Sequence, residues 1–133
     1  MRKDAREVVF KIIYSENFVD YDEELFISLC KEFSLSDNEV SFARALIDAI
    51  CAHKREFDEE ISALANNYSA ERVYLTDKCA LYIGMAEMTC FDDVPNVVAI
   101  DEALSLCRKY STEKSLSFVN GIFAKFKNKI ENH

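Results

Sequence analysis

Apolar residues recur every three or four positions along nearly the whole chain, and that period reads as helix. Ala5, Val8, Val9, Ile12 and Ile13 form one stripe and predict a first helix over about 4–16. Leu25, Phe26, Leu29, Cys30 and Phe33 predict a second over about 21–33. Val40, Phe42, Ala43, Leu46, Ile47 and Ile50 predict a third over about 37–53, with His53 at its end. Phe57, Ile61, Leu64 and Ala65 predict a fourth over about 55–67. The fifth, over about 71–89, is apolar on most sides (Val73, Leu75, Cys79, Ala80, Tyr82, Ile83, Ala86), which suits a bundle centre. The sixth runs over about 95–110 with Val98, Ile100, Ala103, Leu104 and Cys107 inward, and the seventh covers about 117–129.

The polar breaks agree with these boundaries. Ser36 with Glu39 three residues on fits a capping box, and Ser69 fits an N-cap. Pro95 suits a first helical turn, where its missing N–H costs nothing. Ser111–Ser115 reads as a short polar linker. Only two glycines and one proline occur in 133 residues, far fewer than sheets and tight turns need. The expectation is an all-α, compact seven-helix bundle forming a single domain over 1–133.

The net charge of −8 is unevenly spread. Residues 1–14 carry a net +2 and residues 108–129 a net +5, whereas residues 15–107 carry −14. If the two ends meet in the fold, one basic face lies on an acidic body.

Little in the sequence points to catalysis. The histidines, His53 and His133, have no partner at ligand spacing, and no Gly-rich phosphate loop occurs. Glu23-Glu24, Glu59-Glu60 and Asp92-Asp93 are adjacent pairs, which diverge on a helix and read as solvated surface. No metal or cofactor is expected. The five cysteines lie among apolar residues without a C-x-x-C pair and read as reduced core thiols of a cytoplasmic protein. The N-terminus has no signal-peptide pattern, and no apolar run is long enough to span a membrane.

The stretch SFVNGIFAKFKNK raises a sharper question. A mid-helix glycine costs roughly 1 kcal/mol relative to alanine. Ser117, Gly121 and Lys125 fall in one row, beside Lys114 and Asn120. Two readings are open: another helix packs closely at Gly121, or an RNA strand approaches there while Asn120 hydrogen-bonds to it. Gly84, the other glycine, reads as a close helix crossing.

Two segments resemble the NusB transcription antitermination family. DAREVVFKIIY has that family's Ala-Arg-Glu followed by Tyr14, and DDVPNVVAIDEALSLCRKYSTEKSLSFVNGIFAKF resembles its longer signature. The central segment FARALIDAICAHKREFDEEI is similar as well. The resemblance implies two small helical sub-bundles sharing one core. It implies binding to boxA-type single-stranded RNA of nascent ribosomal RNA transcripts, together with the ribosomal protein NusE, in an RNA polymerase antitermination complex. Homodimers occur among relatives. The domain also occurs fused to RNA methyltransferases; no catalytic domain follows here, so a non-enzymatic role is expected.

Carried over by position, the resemblance places RNA contacts at Arg2, Lys3, Arg6, Lys114, Ser117 and Phe118, with Lys109 beside them. It places the partner surface at Tyr14 and Asp77, with Asn120 and Gly121 as the structural motif. Phe118 or Tyr110 would offer a base a stacking face, or Phe118 would pack in the core. The chain departs from the family at Asp4, where arginine is common, at Ser111, where glycine is usual, and near Leu81, where an arginine is common. The rival reading is a protein-interaction module whose acidic middle docks a basic partner and which has little RNA affinity of its own.

Overall fold

The computed structural model describes residues 2–66 and 72–132, and among them it contains six α-helices and no strand. They are α1 (Arg2–Ser15), α2 (Glu23–Glu32), α3 (Asp37–Leu64), α4 (Leu75–Cys90), α5 (Asn96–Tyr110) and α6 (Glu113–Glu131). The all-α expectation holds; the count of seven does not. The third and fourth predicted helices are one helix of 28 residues, about 42 Å long at 1.5 Å per residue. His53 reads as a helix end, where a cation suits the dipole, but nothing there breaks a helix. His53 lies mid-helix with Nδ1 3.3 Å from Glu56, and Phe57 and Ile61 continue the buried row begun by Leu46 and Ile50.

Local chemistry sets the ends. At α3, Ser36 accepts from the Glu39 amide (3.2 Å), and the Glu39 side chain accepts from the Ser36 amide (3.0 Å), completing the capping box. Asp22 caps α2 in the same sense, accepting from the Glu24 and Leu25 amides. Pro95 occupies the N-cap of α5. The expected linker after α5 is mostly helix, because Thr112 accepts from the Ser115 amide and starts α6 there. The cap expected at Ser69 and the expected start of the helix at 71 lie outside the described residues.

Helix α4 is the axis. Every residue from Cys79 to Glu87 is buried, and α1, α3, α5 and α6 all pack on it. Helices α1, α2 and α3 lie toward one side and α5 and α6 toward the other, with α3 also touching α6. Of the residues expected inward, Val98 is turned out: Ala99, Ala103, Leu106 and Cys107 carry the buried face of α5 instead. Cys30, Cys79 and Cys107 are buried thiols as expected, but Cys51 and Cys90 are exposed, on outward positions of α3 and at the end of α4. All five are free.

Two charged groups cross this interior. Arg6 of α1 donates twice to Glu87 of α4, from Nε to Oε2 (2.7 Å) and from Nη2 to Oε1 (2.6 Å). Glu87 is fully buried and Arg6 nearly so. Arg6 also reaches Glu102 of α5 (3.7 Å) and lies over the Phe42 ring (5.4 Å). Burial pushes the Glu87 carboxyl above its ordinary range, and the Arg6 guanidinium opposes that shift.

The two glycines part company. A Cβ on Gly84 would overlap the Phe123 ring of α6 and stand 3.2 Å from the Ala103 Cβ, so α4 and α6 meet through the missing side chain. Among the described residues, a Cβ on Gly121 would meet nothing within 4 Å. Close packing by another described helix is therefore not what Gly121 serves, and Gly121 is exposed.

The same substitution should act in opposite directions at the two sites. Gly84→Ala is expected to destabilise by about 1–3 kcal/mol through overpacking, and Gly121→Ala to stabilise by about 0.5–1 kcal/mol; urea denaturation midpoints measure both. Arg6→Met, which strands Glu87, is expected to cost about 3–5 kcal/mol, and adding Glu87→Leu to recover most of it. A loss for Arg6→Met within experimental error would show that the pair does not join α1 to α4.

Candidate nucleic-acid interface

The chain's basic ends do meet. Helix α1 lies against the last turn of α5, where Lys109 Nζ donates to Glu7 Oε2 at 2.7 Å and the Tyr110 hydroxyl donates to the same oxygen. Phe10 stacks on Tyr110 with centroids 4.8 Å apart, and Lys11 Nζ lies 5.3 Å from that ring's centroid. For Glu7, burial raises the carboxyl pKa, but hydrogen bonds from Lys109 and Tyr110 and the charges of Lys109 and Lys11 outweigh it and hold the group below its usual range. Burial and the Glu7 bond push Tyr110 up to about 12.

The residues expected to meet RNA fall into two groups. Lys3, Lys109, Lys114 and Ser117 are exposed, and Phe118 is half-buried against the core while also lining surface grooves. Lys3 and Lys114 make no ion pair among the described residues. Arg2 is exposed but tied, 3.0 Å from Asp93 and 4.3 Å above the Phe42 ring. Arg6 is a correction: as a buried arginine committed to Glu87, it has no free face for a phosphate. Tyr110 likewise spends one ring face on Phe10 and has lysines beside the ring.

The corner between α5 and α6 forms the second part of the surface. Ser111 donates to Asp77 Oδ1 at 2.6 Å, and the buried Cys107 thiol approaches the same oxygen at 3.8 Å. Burial, then the Asp77 charge and hydrogen bond, push the Cys107 thiol up to about 11. Ser111 takes an extended backbone (φ −130°, ψ −161°), which needs no glycine, and that explains how this departure from the family is accommodated. Asp77 itself is only 2% exposed. It serves as the corner's internal acceptor, not as a surface charge offered to a basic partner. Leu81, the third departure, is fully buried and apolar as its place demands.

Around this corner lies a cavity of about 270 Å³ lined by Arg72, Val73, Tyr74, Asp77, Lys114, Ser115 and Phe118. A second groove of about 260 Å³ runs over Gly121 between Ser117, Phe118, Lys125 and the end of α3. Phe118 walls both. Arg72 and Tyr74 escaped the sequence reading; Tyr74 is 68% exposed, and an aromatic just before an apolar helix was the available signal. Lys125 is turned to the Leu64 carbonyl (3.2 Å). Asn120 is exposed on the same helix.

Tyr14 lies elsewhere, at the C-terminal end of α1. It is 38% exposed, with its ring 5.5 Å from that of Phe18, which is 69% exposed. Val19 and Tyr21 are exposed nearby in sequence, among Asp20, Asp22, Glu23 and Glu24. No group of three or more His, Cys, Asp or Glu among the described residues could hold a metal ion, and no described helix is long and apolar enough to cross a membrane.

Known proteins resemble this chain in sequence and in fold. The transcription antitermination protein NusB of Finegoldia magna is 30% identical over 98% of this chain and 96% of its own length. The fold is similar to that of T. maritima NusB, with a TM-score of 0.85, 28% identity, and 94% of this chain and 89% of that one covered. It is also similar to a chain in a crystal structure of antitermination factors NusB and NusE in complex with dsRNA, at a TM-score of 0.81, 26% identity and 93% of each chain. The NusB family model matches residues 3–128, and the chain belongs to the NusB family.

Proposed function

We propose that this chain is a cytoplasmic transcription antitermination factor that binds boxA-type single-stranded RNA of nascent ribosomal transcripts together with NusE, within an RNA polymerase complex. The observation that carries the reading is the junction at Glu7, where cations from both ends of an acidic chain are brought together. From there the surface continues over the α5–α6 corner to Lys114, Phe118 and the open row at Gly121. Lys3, Lys109, Lys114 and a released Arg2 supply phosphate contacts, and Phe118 supplies a stacking wall. Aromatic walls favour a single strand, whose bases are free to stack. A structural relative is a complex of NusB and NusE with dsRNA, which supports NusE and RNA as the two partners. The function is one of binding, as in the rest of this non-enzymatic family.

A second reading keeps its own support. The exposed Tyr14, Phe18 and Val19 beside a run of carboxylates suit a basic protein partner, and the acidic body would steer it in. NusE docks there in the proposal.

Titration of labelled boxA-like RNA, with and without NusE, over a salt series tests the assignment. Four phosphate contacts predict a log–log slope of about −3 for a single strand, and Lys114→Ala is expected to reduce its magnitude by roughly 0.7. A slope near zero, or equal affinity for duplex DNA, would overturn the RNA assignment. RNA binding seen only with NusE present would assign the reading of RNA to the joint surface of both proteins.

A further inference from the structure

The proposed surface contains an anion of its own. Glu7 Oε2 accepts from both Lys109 and Tyr110, and the carboxylate is almost enclosed while the Lys109 side chain remains 59% exposed. Lys3 and Lys11 stand four residues to either side of Glu7 on α1, so three lysines from two helices share this neighbourhood. Lys114, by contrast, has no ion-pair partner among the described residues.

A phosphate arriving at Lys109 finds that ammonium already hydrogen-bonded to a carboxylate. Nζ has three donors, so it can begin to bind the phosphate before it leaves Glu7. The two anions then repel each other across one ammonium.

Resting on the RNA reading above, we propose that Glu7 is an intramolecular competitor for phosphate. In the free protein it occupies Lys109 and Tyr110, and a polyanion binds by taking Lys109 over from it. The carboxylate has two effects. It relieves repulsion between the chain's basic ends so that they pack, and it lowers the affinity of that surface for any passing polyanion. Loosely placed phosphates gain little there, whereas a ligand held by further contacts can complete the exchange. Glu7 is thus a specificity-determining residue that never touches the base.

The test uses the full chain, labelled single-stranded boxA-like RNA and a salt series. Glu7→Gln keeps an acceptor for Tyr110 but removes the charge. It is expected to tighten RNA binding about threefold at low salt, the effect of one charge a few ångströms from a phosphate. It should also steepen the salt slope by roughly 0.7. In a Lys109→Met background the same change should bring no such gain. Unchanged or weaker binding by a normally folded Glu7→Gln chain would overturn the proposal, and so would a gain that persists undiminished without Lys109.

If Glu7→Gln does not fold, Lys109→Met against Lys114→Met decides. The paired lysine should then cost less than half the fold-loss of the unpaired one, and equal losses refute the competitor role. No RNA binding by the wild-type chain, alone or with NusE, would sink the RNA reading itself. Wild-type binding without the Glu7→Gln gain sinks only this inference.

Discussion

The paired hydrogen bonds between Arg6 and Glu87 set the frame in which everything else is placed. An arginine does not surrender its proton in a protein, so the pair cannot escape burial by neutralising from that side. It must be held in register, and its two bonds of 2.6 and 2.7 Å do so. Such a pair adds little net stability over apolar residues of similar size, so its contribution is geometric. Glu7 follows Arg6 and points about 100° further round α1. Once Arg6 is committed to α4, Glu7 must face the end of α5, where Lys109 and Tyr110 reach it.

That arrangement explains how a chain of net charge −8 offers cations to an anion. Exposed charges further apart than about 8–10 Å are largely screened at physiological salt, so a ligand at the Glu7 corner responds chiefly to nearby groups. The carboxylates of the α1–α2 turn are displayed at the other end of α1. One helix thereby separates two surfaces of opposite sign.

Much of this was legible in the sequence. The all-α class, the capping box at Ser36, the central place of α4 and the close approach at Gly84 all follow from periodicity and scarce glycine, whereas the meeting of the basic ends stood only as a condition until the fold supplied it. The misreadings share a cause: one-dimensional signals cannot show direction. His53 looks like a helix end because a cation favours that place, yet nothing forces an end. The family likeness placed Arg6 and Asp77 on binding surfaces, but each is buried on a side chain from a distant helix or corner, Glu87 for Arg6 and Ser111 for Asp77, that no local pattern reveals. Gly121 allowed two explanations, and only the surrounding space could choose between them. Arg72 and Tyr74 were missed because their neighbours across the cavity come from α6.

The notch at Gly84 has a reach well beyond stability. Phe123 seats in it, and a ring lodged in a one-sided gap stops its helix from rolling as well as sliding. All nineteen residues of α6 inherit that orientation, so which of them look outward is decided at a point deep in the core. Bulk added at position 84 would press on the Phe123 ring and turn the exposed row of α6 that carries Lys114 and Ser117.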